Sequence, residues 1–418
     1  MSYRIIVAHP ERQHSFKLAS ALKRNGILFK YITTVYDKDS SLLMRLIKPF
    51  LSKENLQRAT GRKNPDLLEE DVIQFYELRG LIQIALYRYN KSKRFYNWWH
   101  KITAHRFGKK VALFAIRNKA DAVIMYDANA TTCFRVLERK APNIIRILDT
   151  SAANRLFMKE IYETDMEKCP IFAHKLKTER DFLWRGDYCA LLEEELRKTQ
   201  YFLVPSNFVK KSLTYSKIED NQIKLCPYGT NFDVQEITKE KANKKGSAQK
   251  AVYVGNVTEM KGVFYLLEAI MRFPKEKLEL ALVGAFDNSD HVFDKYIGRV
   301  DFLGRVTHER VQEILKETDF FVFPSLGEGM SLAVLEAMSC GLPCIVTENS
   351  GVSDIVVDGK SGFIVRAQDE NELFDKMLWF VNNSDLIPQM GRNAFERSKV
   401  YSWENYDHRL LEIINELM

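Results

Sequence analysis

The chain has 418 residues and a net charge of +7, and its hydrophobic content of 46% and charged content of 28% are ordinary for a folded protein. This length is too great for one compact core and predicts two domains of about 200 residues each. The six cysteines show no pairing pattern, and no apolar run approaches the ~18 residues that span a bilayer. These features argue against a disulfide-rich scaffold and an integral membrane protein. We expect a cytoplasmic protein in a reducing compartment, without a structural metal.

Apolar runs alternate with helical patterns along the chain, which is typical of α/β domains with parallel sheets. In the first half we predict strands at 3–8, 29–36, 122–126, 144–149 and 201–206, helices at 15–25 and 193–198, and a long, charged helical region over 41–117. A lysine-rich stretch at 238–250 precedes the second half. There we predict strands at 251–255, 278–284, 300–303, 320–324 and 343–347. The fold class is therefore α/β, with two Rossmann-like parallel-sheet domains.

One loop in the second half carries two glutamates, Glu328 and Glu336, on either side of a predicted helix start. The apolar strand before it ends at Pro324, and a helix is predicted over 331–340. Glu336 has apolar neighbours in that helix, where an unpaired carboxylate is costly. Free amides at a helix start, with a carboxylate on each side, suit a ligand that carries phosphate and sugar hydroxyls. The alternative is a surface glutamate and a helix glutamate in an ordinary α/β unit.

This stretch resembles the E-x7-E signature of retaining glycosyltransferases of the GT-B architecture, family 4 (glycosyl transferases group 1). Pro324-Ser325 before Glu328 and Gly341-Leu342-Pro343 after Glu336 fit the same resemblance, as do 204–209, 226–232 and 401–404. It implies an acceptor-binding domain at 1–205 and a nucleotide-sugar-binding domain at 206–400, facing each other across a cleft. It also implies a last helix at 401–418 that packs back on the first domain.

A second candidate site lies at 252–262, where a strand ends at Gly255 and a helix begins near Val263. Ligands of parallel sheets gather at such strand ends. Lys261 would add a positive charge to the helix start, which suits a diphosphate; the alternative is a solvated lysine. In the resembled family an arginine precedes this lysine, and here Asn256 takes its place. We expect phosphate to be bound more weakly, or by another residue.

The resemblance implies a hexosyltransferase without metal or cofactor. It would move a sugar from a UDP- or GDP-sugar to a glycan or lipid-linked acceptor, in cell-surface polysaccharide or lipopolysaccharide synthesis. The catalytic residues would be Glu328, Lys261 and Asp149. The donor-binding residues would be Gly255, Asn256, Val306, Ser325, Gly329, Met330, Ser331, Leu332 and Glu336. The alternative is a catalytically weak protein that binds a nucleotide sugar or a partner enzyme without turnover. The Asp-x-Asp at 37–39 is interpreted as solvated surface and not as a metal site.

The first half offers candidates for the acceptor side. Family members carry a histidine just before an aspartate at a strand end, and here Leu148 precedes Asp149. His9 and Glu11 follow the first strand, and Asp127 follows another. Each could face the cleft, and each could equally be a turn residue or a helix cap.

The segment 88–110 contains eight lysines and arginines, no acidic residue, and several aromatic residues. Basic aromatic helices of this kind bind anionic membrane surfaces, which would bring the protein to the inner face of the cell membrane. The alternative is a helix whose aromatic residues pack on the domain while its lysines face water. Single-stranded nucleic acid is the least favoured partner.

Overall fold

The computed structural model describes residues 3–11, 14–50, 56, 59–89, 94–179, 181–230 and 248–418. These residues form two β-sheets, of seven and six strands, and helices flank both. The strands pair in parallel throughout the two sheets as described. The predicted α/β fold with two Rossmann-like sheets is confirmed.

The first sheet has the strand order β3-β2-β1-β4-β5-β6-β7. Its strands are β1 (Ile5–Ala8), β2 (Leu28–Thr33), β3 (Val72–Gln74), β4 (Ala122–Tyr126), β5 (Ile145–Asp149), β6 (Tyr201–Val204) and β7 (Ile223–Leu225). The helices are α1 (Ser15–Arg24), α2 (Leu42–Ile47), α3 (Glu77–Tyr89), α4 (Arg94–Arg117), α5 (Thr131–Lys140), α6 (Arg155–Lys168), α7 (Pro170–Glu179), α8 (Gly186–Lys198) and α9 (Asn207–Tyr215). Strands β1 and β4 are buried along their whole length, because helices cover both faces of the sheet.

The second sheet has the order β10-β9-β8-β11-β12-β13. Its strands are β8 (Gln249–Val254), β9 (Leu278–Val283), β10 (Asp301–Gly304), β11 (Phe320–Phe323), β12 (Cys344–Thr347) and β13 (Gly362–Val365). The helices are α10 (Val263–Met271), α11 (His308–Glu317), α12 (Leu332–Ser339), α13 (Glu370–Asn382), α14 (Ile387–Ser398) and α15 (Trp403–Leu417). The order reverses between β8 and β11, as it does between β1 and β4 in the first sheet. Ligands of open parallel sheets bind at the carboxyl ends of strands beside such a switch point.

The strands predicted from apolar runs are all present, with ends shifted by up to three residues. The prediction missed β3, β7 and β13, which have three or four residues each, too few to show an alternating pattern. Strand β7 pairs with β6, so the first sheet continues beyond the boundary that we predicted after residue 205. That boundary is corrected to a point after Leu225. Most of the lysine-rich stretch, 238–247, lies outside the described residues.

Helix α15 contacts the first domain through polar pairs. Arg24 binds Asp407 at 2.6 Å and Lys224 binds Glu416 at 2.6 Å. Further contacts join the two domains directly, since the Tyr265 hydroxyl donates to the carboxylate of Asp165 at 2.7 Å. Among the described helices, none combines the length and apolar character that a membrane crossing requires.

Candidate functional site

A cleft of about 470 Å³ opens at the switch point of the second sheet. It is lined from the ends of β8 and β9, from the loop after β10, and from the loop and first turn between β11 and α12. Eight of the residues predicted as catalytic or donor-binding line this cleft: Gly255, Asn256, Lys261, Val306, Glu328, Met330, Ser331 and Leu332. The structure therefore brings the two candidate segments of the second half to one space.

The loops after β8 and β11 are tied together by hydrogen bonds. The amide of Leu326 donates to the carbonyl of Met260 at 3.1 Å. Gly262 has a φ of +63°, and a Cβ there would lie 1.9 Å from the carbonyl oxygen of Pro324. This close approach needs glycine, both for its left-handed backbone and for the missing side chain. The spacing of the two loops is thus fixed by the backbone itself.

Lys261 and Glu328 form an ion pair on these two loops, with 19% and 27% of their side chains exposed. Lys261 ends a short 3-10 turn, Glu259–Lys261. The loop of Glu328 is held by a bond from its amide to the carbonyl of Asn349 at 2.9 Å. Lys261, predicted to bind a diphosphate, therefore lies at the same cleft as Glu328, predicted to bind a sugar.

Helix α12 begins at the cleft and carries Glu336 one turn further along. Leu332 and Ala333 line the cleft, and Glu336 shares their helix face because residues three and four apart lie above one another. Burial raises the pKa of Glu336, and a nearby histidine, His308, partly offsets this effect. The carboxylate thus stands half-buried beside the cleft and does not line it in the structure described.

The cleft also contains a cation that the sequence analysis did not select. Arg305 follows Gly304 at the end of β10, lines the cleft beside Val306, and is exposed. Asn256, which stands where the resembled family has arginine, lines the same cleft without a charge. The only signal for Arg305 in the sequence is its position beside Val306, after the predicted strand 300–303.

Two predicted donor residues take other positions. Ser325 is fully buried, and its hydroxyl donates to the carbonyl of Met260 at 3.3 Å, so it stabilises the loop and does not line the cleft. Gly329 packs on the first domain, because a Cβ there would lie 1.8 Å from the carbonyl oxygen of Ser151. The Ser206 hydroxyl donates to the carbonyl of Gly329 at 2.6 Å. Gly329 thus lies at one of the contacts between the two domains.

Asp149 lies buried at the end of β5, and a histidine does stand beside it, although not at position 148. His14, just before α1, places its Nε2 atom 3.3 Å from Asp149 Oδ1 and 2.9 Å from the hydroxyl oxygen of Tyr228. Leu148 itself is buried in the core. The histidine comes from a different strand end, and only the adjacency of β1, β4 and β5 brings the two residues together.

His9 and Glu11 follow β1 at the first switch point and are bound within the first domain. His9 is almost fully buried, and burial lowers its pKa. The amide of Glu11 donates to His9 Nδ1 at 2.9 Å. The carboxylate of Glu11 accepts from Gln83 and from the Tyr96 hydroxyl, the latter at 3.3 Å. These contacts fix both side chains and leave their predicted role towards an acceptor as a proposal.

Asp127 belongs to a buried polar network after β4. It pairs with Arg155 at 3.4 Å and accepts from the Ser151 hydroxyl at 3.2 Å. Glu195 accepts from the amides of the following turn, Ala128, Ala130 and Thr131, at 2.6 to 3.0 Å. Burial raises the pKa of Glu195 to about 7, against those amide bonds. The network stabilises the turn before α5, and Asp127 contributes to it through its contacts with Arg155 and Ser151.

Within the described residues, no group of three or more His, Cys, Asp or Glu side chains is arranged to hold a metal ion. Asp39 of the Asp-x-Asp is exposed, as expected for surface. Asp37 is buried and pairs with Lys48 at 2.5 Å, so the interpretation as solvated surface is corrected for this residue.

The comparison with known proteins gives a family match within the second half of the chain. Residues 234–397 match the family described as glycosyl transferases group 1. A glycosyltransferase of Methanocaldococcus jannaschii, itself uncharacterized, is 25% identical over 252 residues, which are 59% of this chain and 71% of that protein. The alignments to this and two further relatives span 53% to 71% of those proteins.

Solved structures of similar fold cover both domains. Sucrose-phosphate synthase from Thermosynechococcus elongatus matches with a TM-score of 0.67 at 18% identity, over 100% of this chain and 99% of that one. The HepE protein of Anabaena in complex with UDP matches with a TM-score of 0.63 at 12% identity, over 100% of both chains. The fold is that of GT-B glycosyltransferases.

The comparisons show that residues 234–397 are similar to the glycosyl transferases group 1. The matched residues include Lys261, Glu328 and Glu336. The part of the chain with the family match is therefore also the part in which the sequence motifs converge on one cleft.

Proposed function

We propose that the protein is a retaining glycosyltransferase of family 4 that transfers a hexose from a UDP- or GDP-sugar without a metal ion. The acceptor is a glycan or a lipid-linked sugar in cell-surface polysaccharide or lipopolysaccharide synthesis. The observation that carries the proposal is the Lys261–Glu328 pair at the mouth of a helix, in a cleft at the switch point of the second sheet. HepE, a protein of the same fold, binds UDP.

The cleft suits the chemistry of a nucleoside diphosphate leaving group. As the glycosidic bond breaks, negative charge builds up on the β-phosphate. Free amides at the start of α12, from Ser331 and Leu332, would donate to that charge together with Lys261. Glu328 would hold the sugar hydroxyls, and Glu336 would hold the ribose hydroxyls. Asp149, with His14 beside it, is proposed to act on the acceptor side.

A second function is proposed because Asn256, which has no charge, takes the place of the arginine of the resembled family. In that case the protein would bind a nucleotide sugar or a partner enzyme without turnover. Binding and turnover separate the two functions, because the first requires both and the second requires binding alone.

Calorimetric titration with UDP, GDP and ADP, each alone and as common sugar conjugates, tests the proposal. We expect one nucleotide class to bind, and its sugar conjugate to be hydrolysed slowly or transferred. Glu336→Ala should reduce binding at least about tenfold, since it removes charge-assisted hydrogen bonds to the ribose. Glu396→Ala is the matched control, because Glu396 is an exposed glutamate of helix α14 in the same domain and does not line the cleft.

If no nucleotide binds to a folded wild-type protein, the donor-site assignment is wrong. If a nucleotide binds but the sugar of its conjugate is neither hydrolysed nor transferred to any acceptor tested, the protein has the second, non-catalytic function. Loss of the folded state in Glu336→Ala, seen as an early thermal transition, would mean that Glu336 serves the fold and not the ligand.

A further inference from the structure

Five large apolar side chains of the first domain face solvent in one region, which we call the apolar rim. Their exposed fractions are 72% for Leu42, 67% for Leu46, 55% for Leu78, 50% for Phe95 and 53% for Trp98. Isolated exposed apolar residues are ordinary, whereas a cluster of large ones marks an interaction site. The other aromatic residues of the basic segment differ, since Phe107 is fully buried and Trp99 is half-buried.

Contacts between the helices bring the members of the rim together. Ser41, just before Leu42, donates its hydroxyl hydrogen to Glu77, which precedes Leu78, at 2.5 Å. The indole of Trp99 donates to the carbonyl of Arg79 at 3.0 Å. The rings of Phe95 and Trp98 stack with centroids 5.3 Å apart. The starts of α2, α3 and α4 therefore lie beside one another.

Basic residues continue from the rim along the exposed face of α4. Lys101, His105 and Lys109 follow Trp98 at spacings of three and four residues, and all are exposed. Helix α4 has 24 residues, about 36 Å, and contains no acidic residue. Acidic groups also lie near this helix: Asp187 pairs with Lys101 at 3.2 Å, Glu77 accepts from Ser41, and Glu11 accepts from Tyr96. The surface is therefore positive overall beside the rim.

The rim adjoins the acceptor side of the first domain. The hydroxyl of Tyr96, next to Phe95, donates to Glu11 at 3.3 Å, and Glu11 follows β1 at the first switch point. Helices α2 and α3 each follow the carboxyl end of a strand of that sheet. The apolar rim thus lies at the same edge of the sheet as His9, Glu11 and His14.

We propose that the apolar rim and the basic face of α4 dock the protein on an anionic phospholipid bilayer. The rim would insert into the headgroup and acyl boundary, and Lys101 and Lys109 would contact lipid phosphates. Leucines and a tryptophan beside lysines fit a lipid surface, because aliphatic side chains offer no face on which nucleic acid bases stack. The inference rests on the proposed function in one respect: the docked orientation brings a lipid-linked acceptor to the acceptor side.

Sedimentation with vesicles tests the docking directly. Vesicles of phosphatidylcholine alone are compared with vesicles of equal parts phosphatidylcholine and phosphatidylglycerol, at low and high salt. We expect binding to the anionic vesicles, weakened by salt. Phe95→Ala/Trp98→Ala should weaken it at least about tenfold, from lost apolar burial. Lys101→Gln/Lys109→Gln should weaken it about fivefold for each lysine removed.

The controls are Ile297→Ala and Lys316→Gln, exposed residues of the second domain that should leave vesicle binding unchanged. Equal binding of wild type and Phe95→Ala/Trp98→Ala would overturn the proposal, as would equal affinity for neutral and anionic vesicles. Binding of single-stranded RNA in preference to anionic vesicles would also overturn it.

The docking proposal and the proposed function can be tested independently of each other. Glu336→Ala should bind vesicles as the wild type does, and Phe95→Ala/Trp98→Ala should bind the nucleotide as the wild type does. Loss of vesicle binding with intact nucleotide binding therefore concerns the rim alone. Loss of nucleotide binding with intact vesicle binding concerns the cleft alone.

Discussion

The ion pair between Lys261 and Glu328 leads to opposite expectations for its two members. In the free protein each side chain neutralises the other at the cleft. A diphosphate that enters must attract Lys261 and is repelled by Glu328. Lys261→Met should therefore weaken UDP or GDP binding, and Glu328→Gln should strengthen it. Glu328→Gln should at the same time lower turnover, since Glu328 is proposed to hold the sugar.

The magnitudes follow from the position of the pair. A lysine at about 4 Å from a phosphate charge, at an effective dielectric constant of about 20, gains about 4 kcal/mol. Releasing Lys261 from Glu328, whose side chain is 27% exposed, costs about 1 kcal/mol. Partial hydration lowers the remainder to about 2 kcal/mol, so Lys261→Met should weaken binding roughly 30-fold. Glu328→Gln should tighten binding about fivefold, because the pair no longer has to be broken.

Isothermal titration with the nucleoside diphosphate measures both variants and the double variant. In the double variant the effect of Lys261→Met should be larger than in the wild-type background, because no pair competes with the ligand. A loss of affinity in Glu328→Gln as large as that in Lys261→Met would refute this reasoning. It would mean that Glu328 binds the nucleotide itself, or that both variants disturb the loop. Thermal unfolding of each variant separates these two explanations.

Three further predictions concern charge, packing and pH. Arg305→Ala should weaken nucleotide binding several-fold, and Asn256→Arg should strengthen it, both measured by the same titration. Gly329→Ala should lower the free energy of unfolding by at least about 2 kcal/mol, because the new Cβ would collide with the backbone of the other domain. Gly359→Ala is the control: its Cβ would have no atom within 4 Å, so it should lower the free energy of unfolding by only about 1 kcal/mol, from backbone strain. Glu195 has a pKa raised from 4.5 to about 7 in the folded state, so its contribution to stability is complete below pH 4.5 and falls by about 3 kcal/mol as the pH rises through 7. Chemical denaturation across that range should show the slope in the wild type and a flatter profile in Glu195→Gln; equal slopes would contradict the assignment.

The candidate cleft of the second domain could be predicted from the sequence because its parts are local. Each of the two loops follows an apolar strand and precedes a helix, so its position at a sheet edge follows from the order of elements alone. Lys261 and Glu328 are then neighbours because β8 and β11 are neighbours. Arg305 was not selected because an exposed arginine in a turn has no local feature that separates it from ordinary surface.

The short strands were not predictable for a different reason. Strands β3 and β7 lie at the two edges of the first sheet and have three residues each. Their pairing depends on the neighbouring strand, β2 or β6, and not on a pattern of their own. The predicted domain boundary failed for the same reason, since β7 is the element that keeps 206–225 in the first domain.

The surroundings of Asp149 show why a local search for a motif finds the wrong residue. The family pattern places a histidine directly before the aspartate, and that position here is Leu148, packed in the core. The imidazole beside Asp149 comes instead from His14, and Tyr228 adds a hydroxyl to it from beyond β7. Three side chains separated by more than 70 residues from one another meet because β1, β4 and β5 are adjacent in the sheet. Residues on loops that follow single strands can be placed together from the sequence, whereas a cluster assembled across strand ends, such as His14, Asp149 and Tyr228, can be found only once the strand order is known.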